Sequence, residues 1–277
     1  VSEISLSGIY TVATCFPMLE NITGDTGEPF TIASNYNPSV NIKTGASLTA
    51  GNSELLTLAI MPPDFPNDGA PSDSDTILYK DCVVTAFSWS GDMTDNGGLV
   101  KYSVTFKTYS PVGLNVDGSG YTLTPYSMLA AQTLTMSDWQ DPQYRIIGDE
   151  THLMVNSFSM NLENDAVFMG RAGSGVPEAI GRGAEFSATA DINVKYDIES
   201  AKMLNLFQAA TSGQTTGKTL MSNASAPATG ASWGFEFPQS VFTSVALSEG
   251  DIMAIDASVK MVGYGVGTST VCATIAD

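Results

Sequence analysis

The sequence is poor in the residue types that enzymes most often use for catalysis and metal binding. It has one histidine, His152, and three cysteines, Cys15, Cys82 and Cys272, which are far apart and form no C-x-x-C pair. This spacing predicts buried free thiols instead of a disulfide framework or a zinc site. The acidic turn at 73–75 lacks the full spacing of a calcium loop. We therefore predict a protein that is not an enzyme, with no catalytic residue, no bound metal and no cofactor.

Basic residues are also scarce. Lys and Arg number 11 against 29 Asp and Glu, which gives a formal net charge of −18, and charged residues make up only 14% of the chain. Affinity for nucleic acid depends largely on cations that displace counterions from phosphates, so the chain is a poor candidate for binding DNA or an anionic membrane. No apolar run approaches the roughly 18 residues of a membrane helix. The first ten residues, VSEISLSGIY, have no signal-peptide pattern and none is expected.

What the sequence does have is strict alternation of apolar and polar residues in several segments. In EFSATADINVKYD (185–197) the apolar residues stand at every second position, which predicts a long antiparallel strand with one buried face. Asp197 is a candidate N-cap for an amphipathic helix that ends before Gly213. Similar alternation predicts strands over 100–107 and 253–261. The fold class is therefore mainly β.

One short sequence motif, here called the repeated phrase, occurs twice. VVTAFSWSGDM (83–93) and MVNSFSMNLEN (154–164) each place Ser between two bulky residues, and Phe158 lies 158 − 87 = 71 positions after Phe87. Each phrase is followed by a connection and an alternating strand, and a helix-compatible segment (124–134) follows the first copy. This order predicts an internal duplication with units of about 135 residues. The expected domains are 1–140, with an N-terminal extension, and 141–277.

Three further segments are expected to be irregular or exposed. The composition predicts an exposed loop at 61–76 and a polar linker at 212–232. Residues 165–183 read as a long hairpin arm, because their glycines lead into a strand and no Gly-Lys-Ser/Thr follows, unlike a phosphate-binding loop. Arginines of the arm could pair with carboxylates of a neighbouring subunit. The candidate inter-subunit or inter-ring residues are Arg171, Gly173, Gly175, Pro177, Arg182 and Gly183.

Residues 153–197 resemble the core of phage tail tube proteins, the major tail proteins of long-tailed phages. Phe158, Ser159 and Asn161 match the strand that enters the family's long hairpin loop. Pro177 and either Gly181 or Gly183 match the end of that loop, and 192–196 match the return strand. Residues 235–261 are similar to the family's two closing strands, so that the stronger part of the resemblance covers about 110 residues.

The resemblance implies two tandem β-sandwich or barrel domains, each with a flanking helix. It implies a structural virion protein that forms stacked rings around an acidic conduit for genome DNA, which passes without specific binding. Because family rings present six tube domains, a duplicated chain implies homotrimeric, pseudo-hexameric rings; a hexamer is the alternative if only the second half is a tube domain. Implied partners are the tape-measure, tail terminator and tail tip proteins. Assembly is implied in the cytoplasm of the bacterial host, and no membrane is involved.

Two other classes remain open from the residues alone. A secreted or surface β-sandwich binding module, for example for carbohydrate, would also account for strands rich in Ser, Thr and Gly. A β-rich hydrolase would have to use His152, which is expected to be an ordinary surface or edge histidine.

Overall fold

The structure is a computed structural model of the 277-residue chain. The residues that it describes are 1–10, 15, 18–19, 21–22, 39–41, 55–60, 77–95, 98–109, 113–114, 143–145, 155–170, 172–173, 177–182, 187–198, 200–209, 217–222, 232–248, 253–261 and 270–275. His152 and the segments 61–76 and 124–134 lie outside these ranges.

The described residues are mainly β, as predicted from the sequence. Helix α1 spans Ala201–Ala209, and the described residues Cys15, Met18, Leu19, Asn21 and Ile22 of the segment after β1 are also helical. The strands are β1 (Ser2–Ile9), β2 (Ser39–Asn41), β3 (Leu56–Ile60), β4 (Ile77–Asp92), β5 (Lys101–Thr108), β6 (Gly113–Leu114), β7 (Gln143–Arg145), β8 (Val155–Glu163), β9 (Ala166–Gly170), β10 (Pro177–Arg182), β11 (Ser187–Lys195), β12 (Gly217–Ser222), β13 (Ser232–Ser248), β14 (Ala254–Met261) and β15 (Thr270–Ile275).

Thirteen of these strands belong to one antiparallel sheet. Its main path runs in the order β1-β5-β4-β8-β11-β14-β13-β12-β7. β15 pairs with β13 and β2, while β3 and β6 pair with the beginning of β4. β9 and β10 form a separate two-stranded hairpin. The sheet thus combines pairs of consecutive strands, such as β4–β5 and β13–β14, with pairs that are distant in the sequence, such as β1–β5 and β4–β8.

The predicted alternation is confirmed in the central strands. In β11 the buried residues are Ala188, Ala190, Ile192 and Val194, and the intervening side chains are half-buried or exposed. β14 buries Ile255, Ala257 and Val259 in the same way. Because residues directly opposite in a sheet share a face, the paired registers place these side chains on a single core face. The opposite face of the sheet is polar.

The two copies of the repeated phrase lie side by side. β4 pairs with β8 in antiparallel fashion, and Trp89 stands opposite Met160. These two residues are 160 − 89 = 71 positions apart, the same offset as Phe87 and Phe158. Trp89 and Met160 are therefore both partners in the sheet and equivalents in the repeat. A local twofold axis, perpendicular to the sheet, passes between them.

This pairing changes the interpretation of the duplication. The predicted boundary between residues 140 and 141 has no counterpart in the hydrogen bonding of the described strands, because β4 of the first half and β8 of the second are adjacent in one sheet. The strands that flank the two halves of the repeat also differ in their order along the sequence. β1 flanks β5 and precedes it in the sequence, whereas β14 flanks β11 and follows it.

The core face is covered by the segment after β1 and by α1. Tyr10, Cys15, Leu19 and Ile22 are all buried in the main core cluster, as is Met203 of α1. At the helix start Asp197 Oδ1 accepts a hydrogen bond from Ser200 N at 2.7 Å, and Ser200 Oγ accepts one from Asp197 N at 2.7 Å. This reciprocal capping confirms the predicted N-cap.

One prediction from composition is wrong. The segment 212–232 was expected to be a polar linker, but it contains β12, which pairs with β13 on one side and β7 on the other. Backbone hydrogen bonds to two neighbouring strands stabilise this segment independently of its polar side chains. β13 contains Pro238, and the register between β12 and β13 shifts beside it, as expected for a proline within a sheet.

Candidate assembly surfaces

The polar face of the sheet is lined by small hydrogen-bonding side chains. Asn156 Nδ2 donates to Asn193 Oδ1 at 2.8 Å, and Asn193 Nδ2 donates to Asp256 Oδ1 at 2.6 Å. Ser258 Oγ donates to Asp191 Oδ1 at 2.6 Å. These bonds run across β8, β11 and β14, so they hold the side chains of three strands in fixed positions. Such a surface is ordered and hydrophilic.

Charge on this face is nearly balanced. In β1, β4, β5, β8, β11 and β14 it carries five acidic and four basic residues: Glu3, Asp92, Glu163, Asp191, Asp256, Lys101, Lys107, Lys195 and Lys260. Across all described residues there are eleven Asp and Glu and nine Lys and Arg, a net of −2. The remaining −16 of the −18 formal charge belongs to the rest of the sequence. The strong acidity of the chain is thus not a property of the described sheet face.

The predicted arm forms a hairpin that begins directly after β8. β9 pairs with β10, with Phe168 opposite Ile180 and Ala166 opposite Arg182. One face of β9 packs on the body: Ala166 and Phe168 contact the cluster around Val83, and the rings of Phe168 and Tyr109 lie 5.7 Å apart. On its other face Val167 and Met169 are exposed. The hairpin therefore has an attached and a free side.

The six predicted arm residues are only partly described. Gly173 lies between the two strands with φ +90°, a conformation that favours glycine, and nothing lies within 4 Å of the position a Cβ would take. Pro177 begins β10 opposite Gly170, next to a register shift, and Arg182 ends it. Arg171, Gly175 and Gly183 lie outside the described residues. The structure thus brings three of the six together in one hairpin.

β4 changes partners at a bulge. Its beginning pairs with β3 and its end with β5 and β8, and the register with β3 shifts between Tyr79 and Cys82. Asp81 adopts φ +53° at this point, an uncommon conformation for a residue other than glycine. The thiol of Cys82 donates to Tyr79 O at 3.3 Å, and burial raises the pKa of the Cys82 thiol to about 11. Cys15 and Cys82 are both buried and outside any disulfide, as predicted, and burial in apolar surroundings disfavours the reactive thiolate form.

A tight turn joins β4 to β5. Asp92 Oδ1 accepts hydrogen bonds from Thr94 N and Thr94 Oγ1, each at 2.7 Å, and these bonds lower the pKa of the Asp92 carboxyl. Lys101 forms an ion pair with Asp95, and Gly98 supplies a positive φ of 77°. The turn is the Gly-containing connection expected from TDNGG at 94–98.

Sequence reasoning missed two buried amides. Asn21 Oδ1 accepts a hydrogen bond from Val84 N at 2.7 Å, and Asn164 Nδ2 donates to Ile22 O at 3.1 Å. Asn164 N also donates to Thr85 O at 2.9 Å. The two side chains thus attach the segment after β1 to the place where β4 and β8 separate. Their spacing in the sequence carries no recognisable motif, because the two side-chain hydrogen bonds join residues 63 (84 − 21) and 142 (164 − 22) positions apart.

The remaining observations concern metal binding, membrane spanning and similarity to known proteins. Among the described residues, no group of three or more His, Cys, Asp and Glu side chains is arranged to hold a metal ion. The same residues include no helix that is long and apolar enough to cross a membrane. No protein-family model matches the chain, and no curated protein matches it in sequence.

Proposed function

We propose that this chain is a structural subunit that assembles with copies of itself into the tube of a phage tail. The observation that carries the proposal is the ordered polar face of the sheet together with the hairpin that leaves β8, which is the order of elements expected from the resemblance at 153–197. In the proposed assembly the polar face lines the lumen and the hairpin contacts a neighbouring subunit. The partners are then other copies, with tape-measure, tail terminator and tail tip proteins at the ends.

The character of the polar face suits passage of DNA. Stable contact with DNA requires a surplus of cations that neutralise phosphates, and the described part of this face has no such surplus, because its strands carry five acidic and four basic residues. The chain as a whole carries −18, so repulsion of phosphate dominates at longer range. The described side chains of this face in β1, β4, β5, β8, β11 and β14 include no aromatic residue. Nothing observed on the described part of this face favours the carbohydrate-binding alternative.

The β4–β8 pairing bears on the number of chains in a ring. A pseudo-sixfold ring of three chains needs two domains per chain related by rotation about the tube axis, and such a rotation leaves equivalent strands running in the same direction. β4 and β8 are antiparallel and related by a local twofold. The repeat therefore gives no support to a trimer, and we propose the hexameric alternative, in which each chain contributes one sheet.

The test is negative-stain electron microscopy of the purified chain over a range of concentrations, combined with native mass spectrometry. The expected result is stacked rings with an axial repeat of roughly 40 Å, about one sheet layer with strands of ~20 Å plus its connections. Ring masses of six times the 29.1 kDa chain mass support the hexamer, whereas three times that mass restores the trimer. A chain that remains monomeric at high concentration contradicts the proposal.

A further inference from the structure

The exposed large apolar side chains of the described residues lie at the two ends of the strands. At one end β1, β4, β11 and β13 finish and β5, β8 and β14 begin. The exposed residues at this end, the upper rim, are Ile9, Met93, Tyr196, Ile198, Leu247 and Met253. Those at the opposite end, the lower rim, are Val1, Ile60, Tyr109, Val167 and Met169.

The upper rim is continuous across several strands. Tyr196 N donates to Met253 O at 3.0 Å, which places the residue after β11 beside the residue before β14. Leu247 pairs next to them, opposite Ile255. Ile198, in the first turn leading to α1, is 82% exposed and Met253 is 51% exposed. Contiguous apolar exposure of this kind is typical of interaction sites and unusual for a free surface.

The lower rim is built partly by the hairpin. Met169 is 50% exposed on the free side of β9, and the attached side holds Phe168 against Tyr109. Ile60 lies opposite Ile77 at the beginning of β4, and Val1 precedes β1 at the same end of the sheet. The hairpin is therefore packed onto the strand end that carries the other lower-rim residues.

We infer that the upper rim of one copy of this chain binds the lower rim of the next, head to tail along the strand direction. The described side chains on the two faces of the sheet leave no competing apolar site, since one face is polar and the other is buried by the segment after β1 and by α1. A head-to-tail contact covers both rims in every copy and repeats without limit, whereas a symmetric contact through one rim leaves the other exposed. The inference rests on the proposed function, because it names the surfaces through which successive rings stack.

The negative charge of the chain opposes this contact between copies. Each copy carries −18, so copies repel one another, and the apolar contact must overcome that repulsion. Added salt shortens the range of the repulsion and strengthens apolar contacts at the same time. Stacking through the rims is therefore expected to increase with salt, whereas stacking through ion pairs would decrease.

The test uses one charged substitution in each rim of the full chain. Ile198→Glu alters the upper rim in the turn that precedes the N-terminus of α1, where an acidic residue is compatible with folding, and Met169→Glu alters the lower rim. Met253→Glu and Val1→Glu serve as second variants if either fails to fold by circular dichroism. Ser103→Glu, an exposed position on the polar face, is the control with the same added charge.

The expected result is that Ile198→Glu and Met169→Glu each form rings that do not stack, while an equal mixture forms pairs of rings and nothing longer. The pairs arise because the intact upper rim of one variant meets the intact lower rim of the other. Tubes of unchanged length in both single variants, or singly blocked variants that do not pair on mixing, overturn the head-to-tail contact and leave the proposed tube function standing. A wild-type chain that never forms rings overturns both.

Discussion

Trp89 and Met160 face each other across β4 and β8 at the centre of the sheet. The Trp89 ring lies edge-on to Phe87, with centroids 5.3 Å apart, and 6.1 Å from the ring of Tyr10. Trp89 is therefore the point where the two halves of the chain and the segment after β1 meet. Its packing joins three parts of the sequence in one core.

We predict that Trp89→Ala lowers the free energy of unfolding by about 3–5 kcal/mol, because it leaves a cavity that these three parts of the chain cannot fill. Urea titration followed by circular dichroism measures the change. Ser90→Ala, the exposed neighbour in the same strand, should change stability by less than about 0.5 kcal/mol. A similar loss in both variants would contradict the central position of Trp89.

The buried amide of Asn21 gives a second prediction. Asn21→Ala removes the acceptor of the Val84 N–H group and leaves a buried donor without its partner, at a cost of about 1–3 kcal/mol. Asn161→Ala, on the polar face of β8, is the matched control and is expected to be close to wild type. Equal stabilities for the two variants would show that the segment after β1 is not attached through this amide.

A third prediction concerns the bulge in β4. Asp81→Val places a β-branched residue at φ +53° and should cost about 1–2 kcal/mol. Asp81→Gly removes the steric penalty, so we expect the Asp81→Gly variant to unfold at a higher temperature than the Asp81→Val variant. The reverse ranking would mean that the positive φ is not retained in solution.

The pH dependence of stability should report on Cys82. Burial raises its pKa from 9.0 to about 11, so the folded state holds the thiol proton more tightly than the unfolded state. The resulting stabilisation is complete below pH 9 and declines as pH rises from 9 to 11, because only the unfolded chain releases the proton in that window. Urea midpoints of wild type and Cys82→Ala at pH 8, 9, 10 and 11 measure this. A difference between the two proteins that is constant over the series would contradict it.

Periodicity in the sequence predicted the individual strands well. β5, β11 and β14 each alternate in composition, and the core face contains the predicted residues because a half-buried strand imposes a period of two. The cap at Asp197 was also predictable, since it depends on residues three positions apart. Features set by neighbours in the sequence were accessible without a structure.

Pairing between distant strands was not predictable. The repeat suggested two equivalent strands in separate domains, whereas Trp89 and Met160 are direct neighbours. A second similarity, between YSVT at 102–105 and FSAT at 186–189, is four residues out of register: Phe87 pairs with Val104 and Phe158 with Ile192, which makes Val104 and Ile192 the equivalent pair. Alternation fixes which face a side chain occupies but does not name the partner strand. β12 was missed because its segment is polar in composition, while its pairing with β7 and β13 depends on strands that the sequence does not name.

The central pairing also has a consequence during synthesis of the chain. β4 and β5 form a local hairpin, but the other edge of β4 has no partner until β8 leaves the ribosome, and Asp92 and Val155 are separated by more than sixty residues (155 − 92 = 63). During that interval a long strand that carries Phe87 and Trp89 presents an open edge, which is the kind of surface through which nascent chains aggregate. Correct folding of the sheet would then depend on how fast the second half of each chain is translated.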